Sequence, residues 1–572
     1  MRKIYLFIVS ILMLLACNSQ QDRQTASLVI QNGKVYTVND ANPNAEAIAV
    51  SNGKIVFVGS NDDVQQWIGE ETEVLDVKGR TVTPGLIEGH GHFLGMGTSK
   101  LNLELLDVTS YEELTDRVAQ AVKESQPGEW ILGRGWHQSK WDSISGNIVK
   151  GFQTHDLLSS VSPDNPVFLR HASGHAGFAN AKAMEIAGVQ QLSVESLKTE
   201  DTHGGEVIRD ELGNPTGIFN ETAMSLISGH IPSSTREKDL RAMNLAVQES
   251  LKNGITSFQD AGASNYQIEL ARELLNEGKL KTRLWMMLSS RDTALLNSWY
   301  EKGPEIGSGD NFLTIRSIKI HADGALGSRG AWLLASYEDR ANHFGHETTP
   351  MSFVYQVSKN ALANGFQVCT HAIGDRTNRE VLDMYEKAFT ENPQAAKDHR
   401  FRIEHAQHLS LEDIPRFASL GVIPSMQAIH MSSDRPWAIH RLGKTRIEEG
   451  AYVWQKLLQS GARIVNGSDV PVEPINPIAS FYASVTRKTL KGEPDQGYEP
   501  NQKMTREQAL RSYTLDAAYG AFEEEIKGSI EVGKIADFTI YSQDLMKVPE
   551  EELLNTKIDF TIVNGTIEYK RE

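Results

Sequence analysis

The chain has 572 residues, more than one hydrophobic core ordinarily spans, so two or more domains are expected. With 40% hydrophobic residues, 8% aromatics and 46 glycines it has the composition of a packed globular protein, which excludes a disordered or fibrous chain. Its net charge of -17, with no lysine- or arginine-rich run to override it locally, repels phosphate backbones and excludes nucleic acid as a partner.

Arg2 and Lys3 precede a run from Ile4 to Ala16 that is apolar apart from Tyr5 and Ser10. This run is too short to cross a bilayer as a folded helix and has the order of parts of a signal peptide. Leu14-Leu15-Ala16-Cys17 resembles the lipobox of bacterial lipoproteins, in which the cysteine is acylated and begins the mature chain. The expectation is a lipid anchor at Cys17 on the periplasmic face of a bacterial cell envelope, with Asn18 pointing to the outer membrane, and a tether over 18–26. Cys369 is then left without a disulfide partner.

Short alternating runs follow, Leu28-Val29-Ile30, Lys34 to Val38 and Lys54 to Val58, punctuated by Asn32-Gly33 and Asn52-Gly53. The same texture returns in Ala536 to Tyr541 and Phe560 to Gly565. The two regions, 27–82 and 500–572, are expected to pair into one β-sandwich domain. Between them, over 83–499, apolar β-rich runs alternate with helical segments, the pattern of a parallel sheet covered by helices. Barrel strands are placed at Val82–Glu88, Ile255–Gln259, Leu284–Leu288, Ile315–Ile320, Gln367–His371, Arg402–His405, Val422–Met426 and Arg463–Gly467. This predicts an α/β fold, a TIM (β/α)8 barrel. The interval after the first strand is too long for one βα unit, so an inserted subdomain is expected at about 105–245.

In such a barrel, ionisable residues at the C-terminal ends of strands converge whatever their separation in sequence. The first strand ends in Glu88-Gly89-His90-Gly91-His92, and alternation along an extended chain turns His90 and His92 the same way, as ligands of one metal require. The fifth and sixth strands each end in an imidazole, His371 and His405, and the eighth runs into Asp469, a carboxylate able to bind metal and to take a proton. Lys319 sits within an apolar strand, where a buried amine loses its charge readily and a neutral amine can form a carbamate; pairing with Asp323 is the simpler reading of the spacing.

The segments Thr83 to His92, Lys319 with Ala322 to Arg329, His371 to Arg376, Glu404 to Gln407, Ser425 to Gln427, Gly467 to Pro471 and Lys527 to Asp537 resemble the amidohydrolase superfamily, specifically its amidohydrolase 3 branch of YtcJ-like metal-dependent hydrolases. The resemblance covers nearly the whole mature chain. It implies that His90 and His92 bind one metal, His371 and His405 a second, that a carboxylated Lys319 bridges them, and that Asp469 is ligand and general base. It further implies hydrolysis of a C–N bond, in an amide, N-acyl compound or cyclic amide, by metal-activated hydroxide. One or two divalent ions per chain are expected, zinc first, since imidazole and carboxylate suit it best. Glu88-Gly89 replaces the Asp-Ser frequent in the family, which displaces the contacts behind the first strand.

His175 and Asn180, in the insertion, match family segments that reach over the barrel mouth, and with Asp323 and Gln427 they are the expected substrate-binding residues. Trp136 and Trp141 read as packing, and Ser328, His430 and Asp434 as pocket residues, with His430 a loop histidine rather than a ligand. Two rivals stand: a mononuclear deaminase-type enzyme using His90, His92, one further histidine and Asp469, and a lipoprotein that binds a solute without turnover. A general base argues against the second. The partners expected are a small-molecule substrate and a membrane reached through Cys17; a homo-oligomer is compatible with the sequence.

Overall fold

The computed structural model describes residues 25–105, 107–138, 141, 146–171, 176–189 and 206–572. The expected signal segment, Cys17 and His175 lie outside the described residues. Among the described residues no helix is long and apolar enough to cross a membrane.

Eight strands lie side by side in chain order: β1 (Leu86–Gly91), β2 (Ile255–Ala263), β3 (Arg283–Ser289), β4 (Leu313–His321), β5 (Gln367–Ala372), β6 (Arg402–His405), β7 (Ile423–Met426) and β8 (Val465–Asn466). All seven ladders are parallel. They are buried along almost their whole length, as the strands of a parallel sheet covered by helices are. A short edge strand, Glu305–Gly307, adds antiparallel to β4.

The seam between β8 and β1 is stitched just past the strand ends, where Asp469 N–H donates to His90 O and His92 N–H to Val470 O, both at 2.7 Å. Two glycines permit this approach: a Cβ at Gly89 would stand 2.4 Å from Asn466 O, and one at Gly467 2.6 Å from His90 N.

The first strand expected over 82–88 is in fact two. Thr81–Pro84 belongs to the terminal domain, parallel to Lys34–Tyr36 and antiparallel to Phe538–Tyr541. The chain changes sheets at Gly85, where a Cβ would meet Thr256 Oγ1 at 2.2 Å. The terminal domain packs a four-stranded sheet from the first chain segment against a six-stranded sheet built from both chain ends. Their shared core includes Leu28, Ile30, Val50, Val82, Phe538, Ile540 and Ile562. Buried Arg283 of β3 ties the barrel to it through two bonds to Asp537, 2.8 and 3.0 Å.

A second compact unit spans 94–246. Its six-stranded mixed sheet covers a core with Tyr111, Trp136, Trp141 and Phe178. Trp136 Nε1–H donates to Leu169 O at 2.9 Å, so this indole is packing with its polar end satisfied.

Candidate active site

The C-terminal ends of β1, β4, β5, β6 and β8 bring His90, His92, Lys319, His371, His405 and Asp469 together. Asp469 Oδ1 stands 3.2 Å from His92 Nε2 and 3.5 Å from His90 Nε2. The His405 ring lies 4.9 Å from that of His90 and 4.5 Å from that of His371, centroid to centroid. Lys319 Nζ is 3.4 Å from His90 Nε2. His405, Ala406 and Asp469 hold left-handed backbone, φ 75°, 41° and 60°. Such conformations cost about 1–3 kcal/mol each in a residue with a side chain and persist only where the surroundings impose them.

Behind these groups lies a network that sequence reasoning missed. Glu404, fully buried, accepts from Arg402 at 2.7 and 2.9 Å and meets His90 Nδ1 with its Oε2. Arg402 also donates to Gly89 O at 2.7 Å, to Ser425 Oγ at 2.8 Å and to Gln259 Oε1. The arginine–glutamate pair thus fixes the tautomer of His90 and leaves Nε2 facing the site. The only local signal was a charged pair at i and i+2 in a short buried strand, which alternation turns toward the same interior.

The electrostatics follow from burial and neighbours. Burial and the Lys319 charge push His90 down to about 4, keeping it neutral. Burial likewise lowers Lys319 and His405. Burial alone would raise Asp469, but the imidazoles of His92, His90, His405 and His430 outweigh it and hold the carboxyl well below its usual range.

Donor atoms of His90, His92 and Asp469 all lie within 4.8 Å of one another, as do those of His405, His430 and Asp469. Among the described residues, buried His371 Nε2, His430 Nε2 and Asp469 Oδ1 make no hydrogen bond. Unsatisfied imidazole nitrogens facing a carboxylate in a buried cluster are what a divalent cation satisfies, so the donor set fits a metal.

Three of the expected substrate-binding residues have partners within the fold. Asp323 accepts from Ile373 N, Gly374 N, Trp332 N and Thr377 Oγ1 at 2.7–3.0 Å, so its carboxylate builds the loop beside His371. Gln427 gives Oε1 to His405 Nδ1 at 2.7 Å and Nε2–H to Ser425 O at 3.2 Å, which orients that histidine. Asn180 caps the helix Ala181–Ile186, accepting from Val167 N and Ala183 N and donating to Ser162 and Asn165, all at 2.8–2.9 Å. Asn180 thus spends its bonding capacity within the fold, whereas Asp323 Oδ1 also stands 3.3 Å from His371 Nε2 and Gln427 has a second amide N–H beside His405.

A family model described as "Amidohydrolase family" matches residues 73–569. Protein LONG AFTER FAR-RED 3 of Arabidopsis thaliana is 32% identical over 529 residues, 90% of this chain and 87% of that one. Putative amidohydrolase YtcJ of Bacillus subtilis is 28% identical across 94% of this chain and 98% of its own length. N-substituted formamide deformylase of Arthrobacter pascens is 27% identical across 96% and 99%. Among solved structures, an uncharacterized metal-dependent hydrolase from Pyrococcus horikoshii OT3 superposes with a TM-score of 0.73 at 25% identity, covering 92% of this chain and 99% of that one. A parallel barrel carrying a buried His/Asp cluster at its strand ends, matched in family model, sequence and structure, is that of a metal-dependent hydrolase: the chain belongs to the amidohydrolase family, among its YtcJ-like members.

Proposed function

We propose that the protein hydrolyses a C–N bond in a small amide, N-acyl compound or cyclic amide, with divalent metal, zinc first, held by His90, His92, Lys319, His371, His405 and Asp469. The observation that carries this reading is the convergence of His90, His92, His405 and His430 on Asp469, with buried donor atoms otherwise unsatisfied. Divalent metal bound there would make water acidic enough to attack near neutral pH and would polarise the substrate carbonyl. Asp469, ionised among imidazoles, accepts the proton of the attacking water on a carboxylate oxygen and passes it to the leaving nitrogen. His90 is kept neutral by burial and aimed by Glu404, and His405 is aimed by Gln427. Lys319, whose amine burial pushes toward neutrality, reacts with carbon dioxide: an N–C bond forms, one proton leaves, and the carbamate supplies two anionic oxygens. The N-substituted formamide deformylase relative supports acyl–nitrogen cleavage.

The test is metal content per chain, measured by plasma mass spectrometry on protein starting after Cys17 and purified without chelator. About two equivalents, falling in Lys319→Ala, with turnover of a formamide or N-acyl substrate, agrees with the proposal. About one equivalent, indifferent to that substitution, favours the mononuclear enzyme; none after added zinc overturns the metal reading.

A further inference from the structure

His430 is the third residue of the helix Ala428–Leu442, which follows β7 directly. Its Nε2 stands 3.9 Å from Asp469 Oδ2, and its ring stacks on that of His405 at 6.0 Å between centroids, 18° from parallel. At that separation His430 and Asp469 make no hydrogen bond. It is instead a separation that two ligands of one ion adopt, since bonds of about 2.0–2.1 Å place ligand atoms roughly 3.4–4.2 Å apart. Buried histidines outside the site differ in this respect: His399 has both nitrogens paired, with Nε2 2.8 Å from Leu420 O and Nδ1 accepting Phe401 N–H at 2.8 Å, whereas His408 has neither paired among the described residues, so it is the position of His430 beside Asp469 and His405 that marks it as a ligand. His430 is 8% exposed, and its Nε2 has no such partner among the described residues.

The adjacent residue Gln427 binds Nδ1 of His405, so the other nitrogen of that ring is free to take a metal. Gln427 O also accepts His430 N–H at 3.1 Å, fixing the first turn of the helix. One short segment therefore orients one ligand and supplies another.

Resting on the metal-hydrolase reading, we infer that His430 is a metal ligand, completing with His405 and Asp469 the set that holds the second divalent ion. Asp469 then contributes one oxygen to each group, Oδ1 toward His90 and His92, Oδ2 toward His430.

The test measures zinc per chain by mass spectrometry in wild type, His430→Gln, His430→Ala and His371→Gln, after dialysis against equal limiting zinc. Wild-type melting of the metal-free form qualifies each variant. His430 variants are expected to fall from about two equivalents to one. Two equivalents retained in them, or only one in wild type, overturns the inference while leaving the enzyme reading in place; none in wild type sinks that reading instead. Zinc-edge anomalous maps from wild-type crystals decide the case if both His430 variants unfold: a second peak against His430 Nε2 supports the assignment, and a second peak held by His371 without His430 overturns it.

Discussion

Glu88 reaches across the barrel seam to Ser468, taking its backbone N–H on Oε1 at 2.7 Å and its hydroxyl on Oε2 at 2.9 Å. The same Oε1 accepts His90 N–H at 3.1 Å. The Glu88 carboxyl, which burial pushes up to about 8, is thus a clamp between the strand carrying His90 and the segment carrying Asp469.

Glu88→Ala leaves three buried donors without an acceptor, at about 1–3 kcal/mol each, so a loss of roughly 3 kcal/mol or more is expected in urea denaturation of the metal-free protein. Ser468→Ala removes one donor to Glu88 and the acceptor of Val470 N–H, 3.2 Å away, and should cost less, about 1–2 kcal/mol. Equal losses in the two variants would refute the clamp.

Arg402→Met strands Glu404 in the interior, and an uncompensated buried charge of this kind costs about 3–5 kcal/mol. Arg402→Met with Glu404→Leu should regain much of that stability, yet bind zinc about 10–100-fold more weakly than wild type, because His90 Nδ1 loses its acceptor. Thermal denaturation and zinc titration of the two variants separate these effects, and a double variant with wild-type zinc affinity would count against the orienting role.

The edge strand bearing Glu305 carries a pH-dependent contribution to stability. Burial pushes Glu305 upward, but the Arg272 fork at 2.6 and 2.9 Å, the Ser308 hydroxyl and Lys302 outweigh it and bring it to about 2 from an ordinary 4.5. A carboxyl depressed on folding stabilises fully above its unfolded value and loses that contribution as pH falls toward its folded value. Since Arg272 is 37% exposed and water screens the pair, about 1 kcal/mol is expected rather than the full shift. Glu305→Gln should therefore lower the denaturation midpoint at pH 7, with the gap narrowing between pH 4.5 and pH 2. A gap that stays constant with pH contradicts the assignment.

For the leader, we propose acylation at Cys17. Expressed with its leader in a bacterial host, the protein should incorporate labelled fatty acid and sediment with membranes, and Cys17→Ser should abolish both. Incorporation that survives the substitution would exclude Cys17 as the anchor.

The barrel was legible because short β-prone runs alternate with helical segments along the chain, and the proximity of His90, His92, His405 and Asp469 was legible because strand ends converge in this fold. Two things were not. The switch of sheets at Gly85 leaves no mark in periodicity, since Thr81–Pro84 and Leu86–Gly91 are both β-prone and fully buried. Nor does residue type reveal where hydrogen bonds are spent: the bond from His90 to Glu404 spans 314 positions, and the partners of Asp323, Asn180 and Gln427 are seen only in the fold. His430 was passed over for the same reason, its missing partner being visible only in three dimensions.

The Thr83 and Tyr541 hydroxyls lie 3.0 Å apart within one sheet although 458 positions separate them along the chain. The stretch that leads into β1 can therefore dock on only one edge, against Lys34–Tyr36, when it is made. It waits, with its other β-prone edge open, until almost all of the polypeptide has followed, and so late a closure is slow and exposed to mispairing. Assembly of the catalytic centre is thereby tied to the last part of the chain to be synthesised, and a product truncated before Phe538 should lack not only the terminal sheet but a correctly seated β1.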